Sequence, residues 1–413
     1  PPSTTNMAID KKGLLYTVTR NDYNTPLRKL NIEGNNVLTG YYIIDPALQD
    51  IYVDNNGLIY TVSNNDQHFP IVSVHDKYGN LLFAFGDKIQ DSFKIGVFDN
   101  PVGVAVDSNG DIWVLDKKAS IVQVFTKTEF ASMVITAINA YESGNYKLAE
   151  DLFEEVVRQN AMFALAHSNL GKIYQKDGRY ELALESYRIA NNKEGYSDVF
   201  WELRDEWIAN NLIYLLLSLV LFYILFVLFK KHKEKIKIYH TFREYLNSLK
   251  KKKFYHEFAM LKRILKDPLD VVYEIKFRQS IRIRTATLLY VIFVFLHIIC
   301  DYYVRGYLFR SISVDVVLTY ELLKWFIPLL LLGIANHLIN SLQSGEGFYR
   351  DIFIGIIYAT APVLLFKLPI DIISNVLTYN EKFIFDLANY VIYGWTIINV
   401  IIVIKEINNY KVG

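Results

Sequence analysis

Ala209-Asn-Asn-Leu-Ile-Tyr-Leu-Leu-Leu-Ser-Leu-Val-Leu-Phe-Tyr-Ile-Leu-Phe-Val-Leu-Phe229, followed at once by Lys230-Lys-His-Lys-Glu-Lys-Ile-Lys237, is the stretch that decides the architecture. Twenty-one residues at about 1.5 Å each cover roughly the 30 Å hydrocarbon core of a bilayer. The basic collar behind them extends over residues 230–284, with seventeen Lys/Arg against six Asp/Glu. Such a collar stays in the cytoplasm under the positive-inside rule. Everything before Ala209 is therefore expected outside the cell, and residues 230–284 inside.

The charge is divided along the chain. Residues 1–208 hold nineteen Lys/Arg and twenty-eight Asp/Glu, residues 285–413 eight and nine, and the whole chain comes to +1. A collar wedged between apolar spans suits anionic headgroups of the inner leaflet and argues against nucleic acid as a partner. The single cysteine, Cys300, allows no intrachain disulfide, and a disulfide-poor exterior favours a bacterial surface. The sequence starts at Pro1 without a signal peptide although its start must be translocated, so further N-terminal residues are expected.

Three copies of one pattern occupy residues 1–126. Ala8-Ile-Asp10-Lys-Lys-Gly13-Leu-Leu-Tyr16-Thr-Val18 recurs as Tyr52-Val-Asp54-Asn-Asn-Gly57-Leu-Ile-Tyr60-Thr-Val62 and as Ala105-Val-Asp107-Ser-Asn-Gly110-Asp-Ile-Trp113-Val-Leu115. Each reads as strand, tight turn with Gly at positive φ, and second strand with an aromatic. The spacings fit one propeller blade each. The third copy, Asn100–Asp116, closely resembles an NHL repeat. Three blades do not close a ring, so either earlier blades precede them or another chain completes the surface.

Residues 127–200 change to a helical period. Gly144, Tyr146, Leu148, Ala149 and Phe153 are matched thirty-four residues later by Gly178, Tyr180, Leu182, Ala183 and Tyr187. With Leu170-Gly171 and Tyr174 between them, this resembles two tetratricopeptide repeats. His167 stands where the family has Trp, and the usual Pro is absent. The resemblance implies a concave side lined by Ser168, Lys172 and Gln175, for docking a partner or for spacing alone.

The first span is placed in residues 201–229, the basic juxtamembrane helices in 230–284, and four further spans in 285–413, near Thr285–Tyr303, Val316–Leu338, Ile352–Ile373 and Ile384–Ile404. Five spans put the C-terminus in the cytoplasm. Asp267-Pro268-Leu-Asp-Val-Val-Tyr273-Glu-Ile275-Lys276 resembles the start of a Yip1 domain. So does Gly345-Glu-Gly347-Phe-Tyr349-Arg350-Asp351 followed by Tyr358-Ala-Thr-Ala-Pro362. The likeness covers residues 262–408. Together with the NHL and tetratricopeptide likenesses, it implies a membrane protein of low-GC Gram-positive bacteria associated with carbohydrate importers of the ABC type.

The fold expected is thus a multi-domain membrane protein. An extracytoplasmic partial β-propeller and tetratricopeptide helices precede an α-helical five-span part. Chemistry is sparse. No P-loop, metalloprotease helix or nucleophile elbow occurs, and one Cys with scattered His gives no zinc site. Asp107-Ser-Asn109-Gly110-Asp111 resembles the opening of a calcium loop but lacks the later bidentate carboxylate, which favours a hairpin turn. No cofactor and no enzymatic activity are expected.

Charges inside the spans are the remaining candidates. Glu321 and Lys324 can pair on one helix face, at a contact with a partner subunit; Lys367 and Asp371 share i,i+4 spacing; His297, Asp301, His337 and Asp386 sit nearer the ends. Pro328 and Pro362 should kink their helices. The leading expectation is a non-enzymatic accessory subunit of a plasma-membrane carbohydrate importer, contacting permease and solute-binding subunits. The alternatives are a stand-alone receptor for extracellular glycan or peptide, an oligosaccharide included, and a small-solute channel or transporter.

Overall fold

Each Asp-x-x-Gly copy folds as a hairpin turn in the computed structural model. This structure describes residues 3–38, 45–65, 70–90, 94–232, 237–250, 252–310, 318–342 and 346–409. Gly345, Val316 and Lys411 lie outside the described residues. The chain divides into two units, Pro1–Gly195 and Tyr196–Gly413.

In the first unit, β1 (Ser3–Ile9), β2 (Leu15–Arg20) and β3 (Leu27–Leu30) form an antiparallel sheet. A second sheet contains β4 (Leu48–Val53), β5 (Ile59–Ser63), β6 (Val72–His75) and β7 (Leu81–Phe85). After a short parallel pair, β8 (Asp87–Lys88) and β9 (Val97–Phe98), comes a third sheet of β10 (Pro101–Val106), β11 (Ile112–Asp116) and β12 (Ile121–Phe125).

The spacing from Asp to aromatic in every copy has a physical cause. One carboxylate oxygen of Asp54 accepts from Asn56 N at 2.8 Å and Leu58 N at 2.9 Å, and the other accepts from Tyr60 OH at 3.4 Å. Asp10 does the same with Tyr16, and Asp107 with Trp113 Nε1, each at 3.2 Å. Gly13, Gly57 and Gly110 close these turns at φ of +78°, +83° and +86°. The same device recurs at Asp76-Lys-Tyr-Gly79 between β6 and β7, and Asn31 replaces the Asp in a turn after β3.

β4 packs between β1 and β10. Asp50 on β4 ties all three, accepting from Asn6 Nδ2 and, at 2.8 Å, from Val104 N. Tyr16, Val18 and Leu27 meet Leu48, Ile51 and Ile59 in the core. Every residue of β5 and β6 is buried, so the middle sheet is covered on both faces. The third sheet is covered on one face only: Ile112 and Val114 are buried, while Trp113, Leu115, Val122 and Val124 on the other face remain 43–50 % exposed.

Two helical hairpins follow, α1 (Glu129–Glu142) with α2 (Tyr146–Gln159) and α3 (Ala164–Lys176) with α4 (Tyr180–Ile189). Gly144 and Gly178 turn the chain between partners at φ of +83° and +71°. Ala149 and Ala183 are fully buried where the helices approach. A Cβ on Gly171 would stand 2.8 Å from the Tyr187 ring, so the close approach requires glycine. Arg179 grips both oxygens of Glu150 at 2.9 Å and holds that carboxyl below the usual range.

The second unit takes up α5 (Lys193–His232) from Tyr196 onward. It continues through α6 (Lys237–Lys250), α7 (Lys253–Arg263), α8 (Pro268–Lys276) and α9 (Ile283–Ile299), which runs on as a π-helical turn to Val304. Then come α10 (Leu318–Leu342), α11 (Tyr349–Ala359), α12 (Ala361–Ile373) and α13 (Lys382–Asn408). Among the described residues five stretches are long and apolar enough to cross a membrane: Lys193–His232, Ile283–Val304, Thr319–Leu342, Tyr349–Val376 and Tyr379–Asn408.

Pro362 does more than kink its span. α11 stops at Ala359, Thr360 donates its hydroxyl to Ile357 O at 2.7 Å, and Pro362 sits in the first turn of α12, where its missing N–H costs nothing. The span is therefore two helices, and two-thirds of its most apolar stretch (67 %) is buried against its neighbours. The apolar stretch of α5 has no buried residue at all. In the basic segment, Leu261 and Ile264 enter the core of this unit, with Phe258 and Leu265 packed at its edge.

Candidate functional site in the helical unit

The π-helical turn after α9 brings Asp301 and Arg305 together, and α12 carries Lys367 and Asp371 one turn apart. Gly306 lets the two segments meet, because a Cβ there would lie 2.5 Å from Ser374 O, and Gly306 N donates to Ser374 Oγ at 2.8 Å. The four charges form a closed quartet. Arg305 bonds Asp371 Oδ1 at 2.8 Å and Asp301 Oδ1 at 2.6 Å; Lys367 Nζ bonds Asp301 Oδ1 and Asp371 Oδ2, each at 3.0 Å. Lys367 and Asp371 are buried, Arg305 and Asp301 nearly so.

One turn before Asp301, His297 Nδ1 bonds Phe293 O at 2.8 Å and Nε2 bonds Tyr393 OH at 3.0 Å. A carbonyl can only accept, so the proton belongs on Nδ1 and Tyr393 donates to Nε2. The ring stacks on Trp325 with centroids 3.7 Å apart. Because each carboxylate is shared by two cations, the quartet is neutral and internally satisfied. It can lock helices together, and it offers no unpaired charge to a ligand. Among the described residues no group of three or more His, Cys, Asp or Glu could hold a metal ion.

At the other end of the spans lies a second polar network. Arg282 grips Glu257 through Nε at 2.8 Å and Nη2 at 2.9 Å, Thr285 donates to the same carboxylate, and Tyr358 OH donates to Glu257 O at 3.1 Å. Burial pushes the Glu257 carboxyl up, but these donors outweigh it and hold it below the usual range. Arg350 bonds Asp351 at 2.7 Å and Ile281 O at 2.7 Å. Asn340 donates to Gly347 O at 2.6 Å, and Gly347 lies so close to Asn408 that no side chain would fit.

Together the two networks show that the spans from α9 to α13 alternate in direction. The start of α5, the segment after α9 and the turn between α12 and α13 share one end: Arg204 grips Glu381 at 2.8 and 2.9 Å, Ser197 Oγ accepts from Tyr379 N at 2.9 Å, and Asn375 donates to Val304 O at 2.7 Å. Residues 257, 281–285, 340, 347–351 and 408 share the opposite end.

Of the residues expected from sequence, Asp301, Lys367 and Asp371 converge in the quartet. Arg305 was missed, although its i,i+4 spacing from Asp301 repeats that of Lys367 and Asp371. Glu321 and Lys324 pair loosely at 3.5 Å, with the Lys324 side chain 48 % exposed, and they are apart from the quartet. Pro268 opens α8 behind the cap Asp267. Gly347, Arg350, Asp351 and Tyr358 join the network at the far end, and Tyr349 stacks on Phe353. In the helical hairpins Ser168 accepts from Asn192 Nδ2 at 2.9 Å, Gln175 accepts from Tyr187 OH at 3.2 Å, and Lys172 is exposed.

The NHL repeat family matches residues 98–125, the stretch that runs from the end of β9 through β12. No curated protein matches the chain. An N-terminal β-sheet region carrying an NHL repeat thus precedes a helical part with five candidate membrane spans.

Proposed function

We propose that the chain is a non-enzymatic accessory subunit of a bacterial plasma-membrane assembly, a carbohydrate ABC importer first among these. Its blades and tetratricopeptide-type hairpins stand outside the cell and dock a permease or solute-binding subunit. Its Yip1-like spans pack in the bilayer, and its basic collar rests on the anionic inner leaflet. The observation that carries this reading is the uncovered apolar face of the third sheet. Trp113, Leu115, Val122 and Val124 form the kind of surface that a further blade or another subunit covers. The self-satisfied quartet fits it too, since its four charges are spent on one another where the extension of α9 meets α12.

Purification in mild detergent, with identification of every chain that accompanies the protein, tests the proposal. Permease or solute-binding subunits at fixed stoichiometry are expected, and a lone monomer overturns it. The span broken at Thr360 supports a second reading, passage of a small solute through the spans, since interrupted helices line paths in transporters. Solute flux into vesicles containing this chain alone would favour that reading.

A further inference from the structure

Between the first and second β-sheets lies a small cavity of about 10 Å³, with apolar walls from Leu27 and Ile71 and polar ones from Asp45, Ser63, Ser73 and His75. Its polar side chains are out of place by strand logic. On β5 and β6 the inward positions facing the first sheet should be aliphatic, as Ile59 is, yet Ser63, Ser73 and His75 occupy them. Ser63 and His75 are each 2 % exposed, and both Ser63 Oγ and His75 Nδ1 have no partner. The Gly79 backbone lies near the ring and favours a proton on it, though less strongly than burial opposes a charge there. Burial keeps the ring neutral, and with its one proton on Nε2 the unpartnered Nδ1 is a bare acceptor. Asp45 Oδ1 is already taken by Ala47 N at 2.9 Å and Asn65 Nδ2 at 3.0 Å, and the rest of this buried carboxylate lines the cavity.

We propose that the cavity holds one ordered water, which donates to His75 Nδ1 and to the Asp45 carboxylate and accepts from the Ser63 hydroxyl. The volume is about what one water centre needs, and three partners are typical for a buried water. Two acceptors facing one hydroxyl leave a surplus of lone pairs, which a molecule with two O–H donors relieves. An empty cavity would leave two buried polar atoms unsatisfied, each at the desolvation cost of an unpaired polar group. The water then ties the first sheet's loop to the strands of the second, independently of any assembly the chain joins.

An experimental density map of the full chain, at a resolution where ordered waters are visible, tests this. One peak is expected within hydrogen-bond reach of His75 Nδ1, Ser63 Oγ and Asp45, unchanged by a thallous-ion soak. Ser63→Val should remove it, and if that variant does not fold, the wild-type map decides alone. A map with no peak, and Ser63 Oγ turned directly onto His75 Nδ1, overturns the proposal. So does a strong thallium peak, which would make this a monovalent-cation site.

Discussion

Lys367 meets two carboxylates, Asp301 and Asp371, and Arg305 meets the same two, so every charge of the quartet has two partners. Removing one member leaves an unbalanced buried charge, which costs far more than removing a balanced pair. Lys367→Met should therefore destabilise the membrane unit by ~3–5 kcal/mol, while Lys367→Met with Asp301→Leu, which leaves the Arg305–Asp371 pair, should cost clearly less. Thermal unfolding in detergent measures both, and additive losses would show that the four do not act together. His75 carries the second prediction at this scale. Burial holds its folded-state pKa down near 4, against 6.5 unfolded. The unfolded chain then binds the extra proton first, so stability is intact above about pH 6.5 and falls as pH drops toward 4, by up to about 3 kcal/mol. Hydrogen exchange of the β-strands against pH reads this, and His75→Gln should flatten the slope. The quartet was half legible, because i,i+4 spacing reveals partners on one helix but not which helix faces it. The meeting of α9 and α12 depends on Gly306 and Ser374, which carry no charge to notice.

Turns of the β region were legible because their chemistry is local. Asp, Gly and the aromatic six residues after the Asp all act within one hairpin, so the pattern survives in sequence. The turn at Asp76–Gly79 escaped notice because its sixth residue is Leu82 and no aromatic completes the pattern. The helical hairpins were legible through the thirty-four-residue match and the small residues at close approaches. The break at Thr360 was not, since the same Ala-Pro pair can kink a helix or start one, and only the neighbours' packing decides. α5 makes the third prediction. From Asn210 to Phe229 its apolar stretch carries a single residue, Ser218, of the small kind through which membrane helices pack closely, and none of its most apolar window is buried. Spin labels walked along Leu215–Phe226 should be lipid-accessible on every face in the isolated chain. A protected face there would show that α5 packs on the other spans. Protection that arises only in the natively purified assembly would locate a partner helix.

At the scale of the whole chain, the second unit gathers its polar groups at two opposite ends. Glu257 and Arg282 of the basic collar gather with Arg350 at one end, and the quartet lies at the end where Arg204 meets Glu381. The five long apolar helices were legible because the length of each apolar run stands in the sequence, and their mutual packing was not, since every face of an evenly apolar helix looks alike in composition. The orientation that the collar implies gives the fourth prediction. Protease added to intact cells should cleave the β region and hairpins and spare residues 237–284, and the reverse pattern would invert the topology and remove the proposed docking role.

Cys300 closes α9 inside the packed core, beside the quartet, and it is the chain's sole thiol. The natural sequence is therefore already a blank background for maleimide chemistry. A cysteine introduced at any surface position would be the only reactive sulfur, so reporter dyes or photocrosslinkers could be placed one site at a time without first constructing a thiol-free parent.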